Sequence, residues 1–239
     1  ANGIHSLLFN SSSLFLTLSE YPIFTYFGKD GKDNSAGVDI KGDKGTQATK
    51  ALVALVNNPN FVNDLQGVGI AGLRDGSVGA YFSGSWDYKS VKEILGDNFG
   101  AVSLPTVKIN GTDKQLKAFA GSKAIAVNPN CKYQQVAVAL AKYLGGKDAQ
   151  AKHYELRNVI PCNTELLATD VIKKDALVSA QNDTFNKTSV IQPTVTGMNA
   201  YWTPAQNFAK AIVNGEVTAD NAEAKTLDFY NQINTSIVK

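Results

Sequence analysis

Two histidines, two cysteines and no recognisable nucleophile motif set the chemistry open to this chain. His5 lies in a strand-like run and His153 in a polar helical stretch, so both read as structural or solvated rather than catalytic. No G-x-S-x-G elbow, H-E-x-x-H pair or P-loop lysine occurs. Gly67 to Gly72 spells G-x-G-x-x-G, a dinucleotide fingerprint that works only after a buried strand and before a helix. Here "NPNFVNDLQ" precedes it and reads as a polar loop, so a nucleotide role is set aside. Asp30, Asp33 and Asn34 hint at a calcium loop, but no Glu holds the twelfth position, and a solvated turn is the better reading. The spacing of Cys131 and Cys162 suits no zinc site. The pair is equally compatible with a disulfide and with two buried thiols. No metal or cofactor is expected.

The aromatic residues are more telling. Most of the 11 Phe, 9 Tyr and 2 Trp fall on helices, where burial explains them. Phe15, Trp86 and the pair Tyr201–Trp202 instead stand at the starts of expected helices. Aromatic faces there suit a neutral polyhydroxylated ligand. Apolar ring faces stack on them, while nearby N–H groups and small polar side chains bond the hydroxyls. Core packing remains the rival account of the same residues.

The elements that would carry these residues alternate. Gly3 to Phe9 reads as a strand, and a helix follows from about Ser13 to Phe27. Gly45 to Asn57 is an amphipathic helix with Ala48, Ala51, Leu52, Leu55 and Val56 on one face. Val68 to Arg74 is a short helix, Ser77 to Phe82 a strand, Trp86 to Leu95 a helix capped by Ser85, and Gly100 to Leu104 a strand. Pro105 to Gln115 reads as a hairpin about Asn110–Gly111. Phe119 to Val127 is read as a strand, and Cys131 to Leu144 and Lys147 to Arg157 as helices. Short helices around Leu166 and Ala176 and an extended Lys187 to Ile191 follow. Helices over Ala200 to Val213 and Ala219 to Ile237 close the chain. This alternation defines an α/β fold with a helix-covered sheet.

The totals agree with such a domain. Hydrophobic residues make up 44% and charged residues 18% of 239, enough for a packed core. The formal net charge is +2 and no basic block occurs, so nothing points to nucleic acid or an anionic membrane surface. No apolar run reaches the ~18 residues of a membrane-spanning helix. "ANGIHSLLFN" lacks a charged leader and reads as a strand rather than a signal peptide. The N-x-[ST] sequons at Asn10, Asn110, Asn182, Asn186 and Asn234 are attributed to chance in an Asn-rich chain.

Four stretches, taken in order, carry a resemblance: "LLFNSSSLFLTLSEY", "GVGIAGLRDGSVGAYFSGSWDYKSV", "FGAVSLPTVKINGTDKQLKAFAGSKAIAVNPNCKYQQVAVALAKYL" and "PTVTGMNAYWTPAQNFAKAIVNG". Each is weak alone. Together they resemble the C-terminal two-thirds of a bacterial ABC-transporter solute-binding protein for sugars, of the maltose/maltodextrin-binding type. The resemblance implies a periplasmic-binding-protein-like α/β fold. It also implies an N-terminally incomplete chain: a C-terminal lobe plus a segment belonging to a mostly absent N-terminal lobe. Residues 1–120 and 169–239 would form the C-terminal lobe, and 121–168 would cross to the other. Helix Cys131 to Leu144 would then carry an apolar face meant for that lobe, which invites self-association or a swap of this segment between copies.

By position, the resemblance places Trp86, Trp202 and Phe15 on sugar-stacking sites. Ser13 falls where the maltodextrin binder carries a Glu, Gln192 where a Met lines the pocket, and Ser85 where a Pro precedes the Trp. Tyr201, Asp87 and Asn199 are expected on the polar rim. Gly84 is expected to let the strand end approach a ligand. The implied protein is no enzyme. It would be extracellular, cell-surface or periplasmic, bind an oligosaccharide between two lobes, and deliver it to an ABC permease. Rivals are a binding protein of the same fold for another solute, and a fragment of a carbohydrate-active enzyme. The enzyme would need two flanking carboxylates, for which only the unpaired Asp87 and Glu20 offer themselves.

Overall fold

The computed structural model describes residues 7–9, 40–63, 69–116, 118–120, 122–187, 189–191 and 201–237. They form two compact units. The first comprises Ala1–Phe82, Leu104–Ala120 and Thr184–Lys239, and the second Ser83–Ser103 and Gly121–Asp183.

The first unit is built on a parallel sheet in the order β2–β1–β3, from β1 (Leu7–Phe9), β2 (Phe61–Asn63) and β3 (Ala80–Tyr81). Leu7 pairs with Phe61 on one side and Ala80 on the other. Helices α1 (Asp43–Val56) and α2 (Gly69–Asp75) supply the crossovers, as parallel strands require. The alternation read from the sequence thus holds, with shorter strands. A strand does precede the glycine run, contrary to the polar-loop reading, because three residues suffice to pair with β1. Gly72 nevertheless has a packing role: a β-carbon there would overlap Val78.

The expected hairpin is present. Strands β4 (Thr106–Ile109) and β5 (Thr112–Gln115) pair antiparallel, with Ile109 opposite Thr112. Both turn residues adopt left-handed backbone, Asn110 at φ 49° and Gly111 at φ 76°. This is the type I′ geometry whose twist matches the flanking strands. Gln115 Nε2 ties the hairpin base by donating to the carbonyls of Leu104 at 2.6 Å and Leu116 at 2.9 Å. Strands β6 (Ala118–Ala120) and β7 (Ser189–Ile191) form a second parallel pair.

Two long helices close this unit, α9 (Trp202–Val213) and α10 (Ala222–Ile237). With α1 and β4 they surround a core of Ile40, Leu52, Ile109, Leu116, Tyr201 and Phe229. Phe208 and Phe229 stack with centroids 4.6 Å apart. A buried polar pair satisfies itself: Thr49 and Thr226 hydroxyls lie 2.6 Å apart, and Thr226 donates to the Ala222 carbonyl.

The second unit is helical: α3 (Tyr88–Leu95), α4 (Gln134–Leu144), α5 (Lys147–Arg157), α6 (Thr164–Leu167), α7 (Asp170–Lys173) and α8 (Ala176–Lys187), whose last turn enters the first unit. Leu166, Ile172 and Val178 form its small core, with Tyr154 and Ile160 against them. Side chains hold the helix starts. Asn163 Oδ1 accepts from Leu166 N at 3.0 Å. Asp175 Oδ1 accepts from Leu177 N at 2.8 Å, while Asp175 Oδ2 accepts from the Tyr154 hydroxyl at 2.5 Å. Gln150 Oε1 receives the N–H groups of Cys162 and Asn163. The two cysteines are free thiols. His153 is exposed on α5.

Two strand readings fail. Gly100 to Leu104 is irregular, and beyond Ala120 the chain from 122 to 128 pairs with no strand. Both runs are apolar enough for a strand, but neither pairs with a strand among the described residues. Helix α4 starts later than read, at Gln134, and buries none of its residues. Tyr133, Val136, Leu140 and Tyr143 form an exposed stripe along it.

Candidate functional site

The turn "SGSWDY" is built from short-range forces. Gly84 ends the extended run at φ −126° and ψ −179°, and Ser85–Asp87 form one 3₁₀ turn that passes into α3. Asp87 N donates to the Gly84 carbonyl at 3.2 Å. Ser83 Oγ donates to Asp87 Oδ2, closing the turn across four residues. Ser85 makes no side-chain cap, contrary to expectation, because Ser83 and Asp87 bond each other across the turn. Behind the turn, Tyr88 packs edge-on to Phe99 at 5.2 Å. Lys92 Nζ spans to the Gly96 carbonyl at 2.8 Å and lies over the Phe99 ring. Burial is the main cause that pushes the Tyr88 hydroxyl up, with the Asp175 charge adding to it.

Trp86 projects from this turn 79% exposed. An indole is a large apolar surface, and proteins rarely leave one in water without use. Its benzo ring rests against Gly84: a β-carbon there would overlap Cζ3, Cη2 and Cε3. The ring of the same turn therefore occupies the space that a side chain at position 84 would fill.

Trp202 opens α9 and is 37% exposed. Tyr201, one residue before, is 0% exposed in the core. Its ring meets Trp202 edge-on at 5.5 Å and Phe229 at 6.4 Å. Burial pushes its hydroxyl well above the usual tyrosine range. Tyr201 therefore does not stand on a polar rim, as expected of it, but beneath Trp202 as support. Consecutive helical residues point about 100° apart, so one of an adjacent aromatic pair turns inward.

Trp86 and Asp87 thus share one turn of the second unit, and Tyr201 and Trp202 one helix start of the first. Phe15, Ser13, Gln192 and Asn199 lie outside the described residues. Sequence reasoning missed Ser83, whose i, i+4 spacing to Asp87 was the available signal. It also missed Phe99, whose contact with Tyr88 left no short-range trace. Among the described residues, no three His, Cys, Asp or Glu side chains gather to hold a metal. Among the described residues no helix is long and apolar enough to cross a membrane.

Comparison with known proteins identifies the class. Residues 7–180 match the bacterial extracellular solute-binding protein family. The chain belongs to that family, which consists of binding proteins and not enzymes. A maltooligosaccharide ABC transporter solute-binding lipoprotein of Streptococcus pneumoniae is 27% identical over 200 residues, covering 82% of this chain and 46% of that protein. A galactooligosaccharide-binding protein of Bacillus subtilis is 24% identical over 199 residues, covering 81% and 46% respectively. A solved structure described as "with acarbose" is 44% identical, with a TM-score of 0.85, covering 97% of this chain and 62% of that one. Solved maltose- and maltodextrin-binding proteins share the fold at lower identity. The fold is therefore the periplasmic-binding-protein type that the sequence implied. The chain spans about half the length of the curated relatives it matches.

Proposed function

We propose that the protein containing this chain captures an oligosaccharide outside the cell by aromatic stacking and hands it to an ABC importer. The observation that carries the reading is Trp86, an indole left 79% exposed at the end of a strand-to-helix turn, in a member of a solute-binding family. Strand ends in open α/β sheets are where ligands bind. Trp202 and Phe15 are the second and third stacking faces, Asp87 and Asn199 hydroxyl partners, and Ser13 and Gln192 pocket-lining positions. Similarity to a maltooligosaccharide-binding relative and to a structure with acarbose favours a maltodextrin-like ligand. The galactooligosaccharide-binding relative supplies the competing sugar. On the resemblance, residues 1–120 and 169–239 are read as one lobe and 121–168 as part of another, hinged near Ala120–Lys123 and Ala168–Val171, a division that differs from the two compact units over 83–103 and 169–183. Exchange of the 123–168 segment between copies is a secondary reading of the exposed α4 stripe, and sedimentation across concentration tests it.

The deciding experiment is calorimetry of the full-length protein with maltotriose and with galactotriose. Maltotriose is expected to bind, and Trp86→Ala to weaken it by about 1–3 kcal/mol, roughly fivefold to 150-fold. Heat with neither sugar, or an affinity indifferent to Trp86→Ala, sinks the reading. Preference for galactotriose would keep the stacking and replace the sugar.

A further inference from the structure

Gly84 has no backbone reason to be glycine. Its φ of −126° and ψ of −179° are extended values that any residue adopts. What a side chain there would meet is Trp86: a β-carbon would fall on Cζ3, Cη2 and Cε3 of the indole, and those three ring atoms are the nearest heavy atoms to it. We infer that Gly84 is a positioning residue for Trp86, its missing side chain forming the seat that fixes the direction in which the exposed indole is presented. The inference builds on the stacking reading above.

The energetics make the role separable from folding. Trp86 is 79% exposed, so an alanine at 84 would be accommodated by swinging the ring into solvent. Fold stability would change little, while the stacking face would be lost. A core glycine such as Gly72 behaves oppositely, because its neighbour is Val78, itself buried. The turn's other fastenings, Ser83 to Asp87 and Asp87 N to the Gly84 carbonyl, hold the backbone but touch nothing of the indole ring. The seat at Gly84 is the contact in this turn that bears on the ring's direction.

The test uses Gly84→Ala, Trp86→Ala and the double variant in the full-length protein. In a Trp202→Phe background, used for fluorescence only, Gly84→Ala is expected to shift the Trp86 emission and raise its quenching by iodide. The melting temperature is expected to stay within about 1 °C. Maltotriose affinity is expected to fall about tenfold, and adding Gly84→Ala to Trp86→Ala to cost nothing more. Should Gly84→Ala melt early, the Trp86→Ala background removes the overlap and must restore the melting point. The inference is overturned by unchanged emission and quenching, by a Gly84→Ala effect that persists in full without Trp86, or by an early melt that Trp86→Ala fails to rescue. If Trp86→Ala itself leaves maltotriose binding intact, the stacking reading falls instead, and the seat is judged by emission and quenching alone.

Discussion

Asp175→Ala should destabilise the second unit by about 2 kcal/mol, because one carboxylate serves two helices. Its Oδ1 caps α8 by accepting from Leu177 N at 2.8 Å, and its Oδ2 accepts from Tyr154 of α5 at 2.5 Å. Losing a cap costs about 1 kcal/mol. Leaving the half-buried Tyr154 hydroxyl without that acceptor costs about 1 kcal/mol more, the low end for a group still partly wet. Tyr154→Phe removes only the second share, about 1 kcal/mol. Asp175→Asn keeps an oxygen for the cap and should fall between wild type and alanine. The assay is urea unfolding followed by far-ultraviolet circular dichroism, with wild type, Asp175→Ala, Tyr154→Phe and their double variant in one double-mutant cycle and Asp175→Asn measured beside it. Tyr154→Phe should cost almost nothing once Asp175 is alanine. A full Tyr154→Phe cost in that background, or an Asp175→Ala cost under about 0.5 kcal/mol, would show that the carboxylate does not join the helices.

Other expectations follow from the same contacts. Tyr154 titrates above its ordinary value of 10.0, mainly from burial and then from its bond to Asp175. Its contribution is complete below pH 10 and is lost as pH rises beyond that, since the unfolded chain ionises first. Tyr154→Phe should therefore flatten the alkaline fall in stability, and parallel slopes for both proteins would contradict this. Gly111→Ala places a β-carbon at φ 76° and should cost about 1 kcal/mol in thermal unfolding, whereas Asn110→Gly should be nearly neutral. Glu165 is held below its usual range by the Lys147 ammonium, first through their hydrogen bond. The pair's contribution is present above the unfolded carboxylate value and lost as pH falls through the folded one. Both groups face solvent, so Glu165→Gln should matter little, and a large salt-insensitive loss would refute that view.

Features of this fold that depend on neighbouring residues could be read from the chain. The Asn110–Gly111 turn needs only two residues able to take positive φ, and the hairpin followed from them. Helices α5 and α9 were found within two residues of their ends, because amphipathic period and caps are local. Strands were harder. Phe61–Asn63 is a strand only because Leu7–Phe9 lies beside it, and nothing in "NFVND" announces a partner more than fifty positions away. Gly100 to Leu104 has the apolar look of a strand but joins no sheet among the described residues. The candidate site divides on the same line. Trp86 and Trp202 drew notice as aromatics at element boundaries, a one-dimensional signal. That signal could not separate Tyr201 from Trp202, because which of two adjacent rings faces the core is decided by Phe229 on another helix. Gly84 shows the converse. Its partner is two residues away, so the information was local, yet a glycine before a tryptophan admits two geometries. In one the bare backbone faces a ligand, and in the other it receives the indole. Only the side-chain direction of Trp86 chooses between them, and that direction assigns the glycine to the ring.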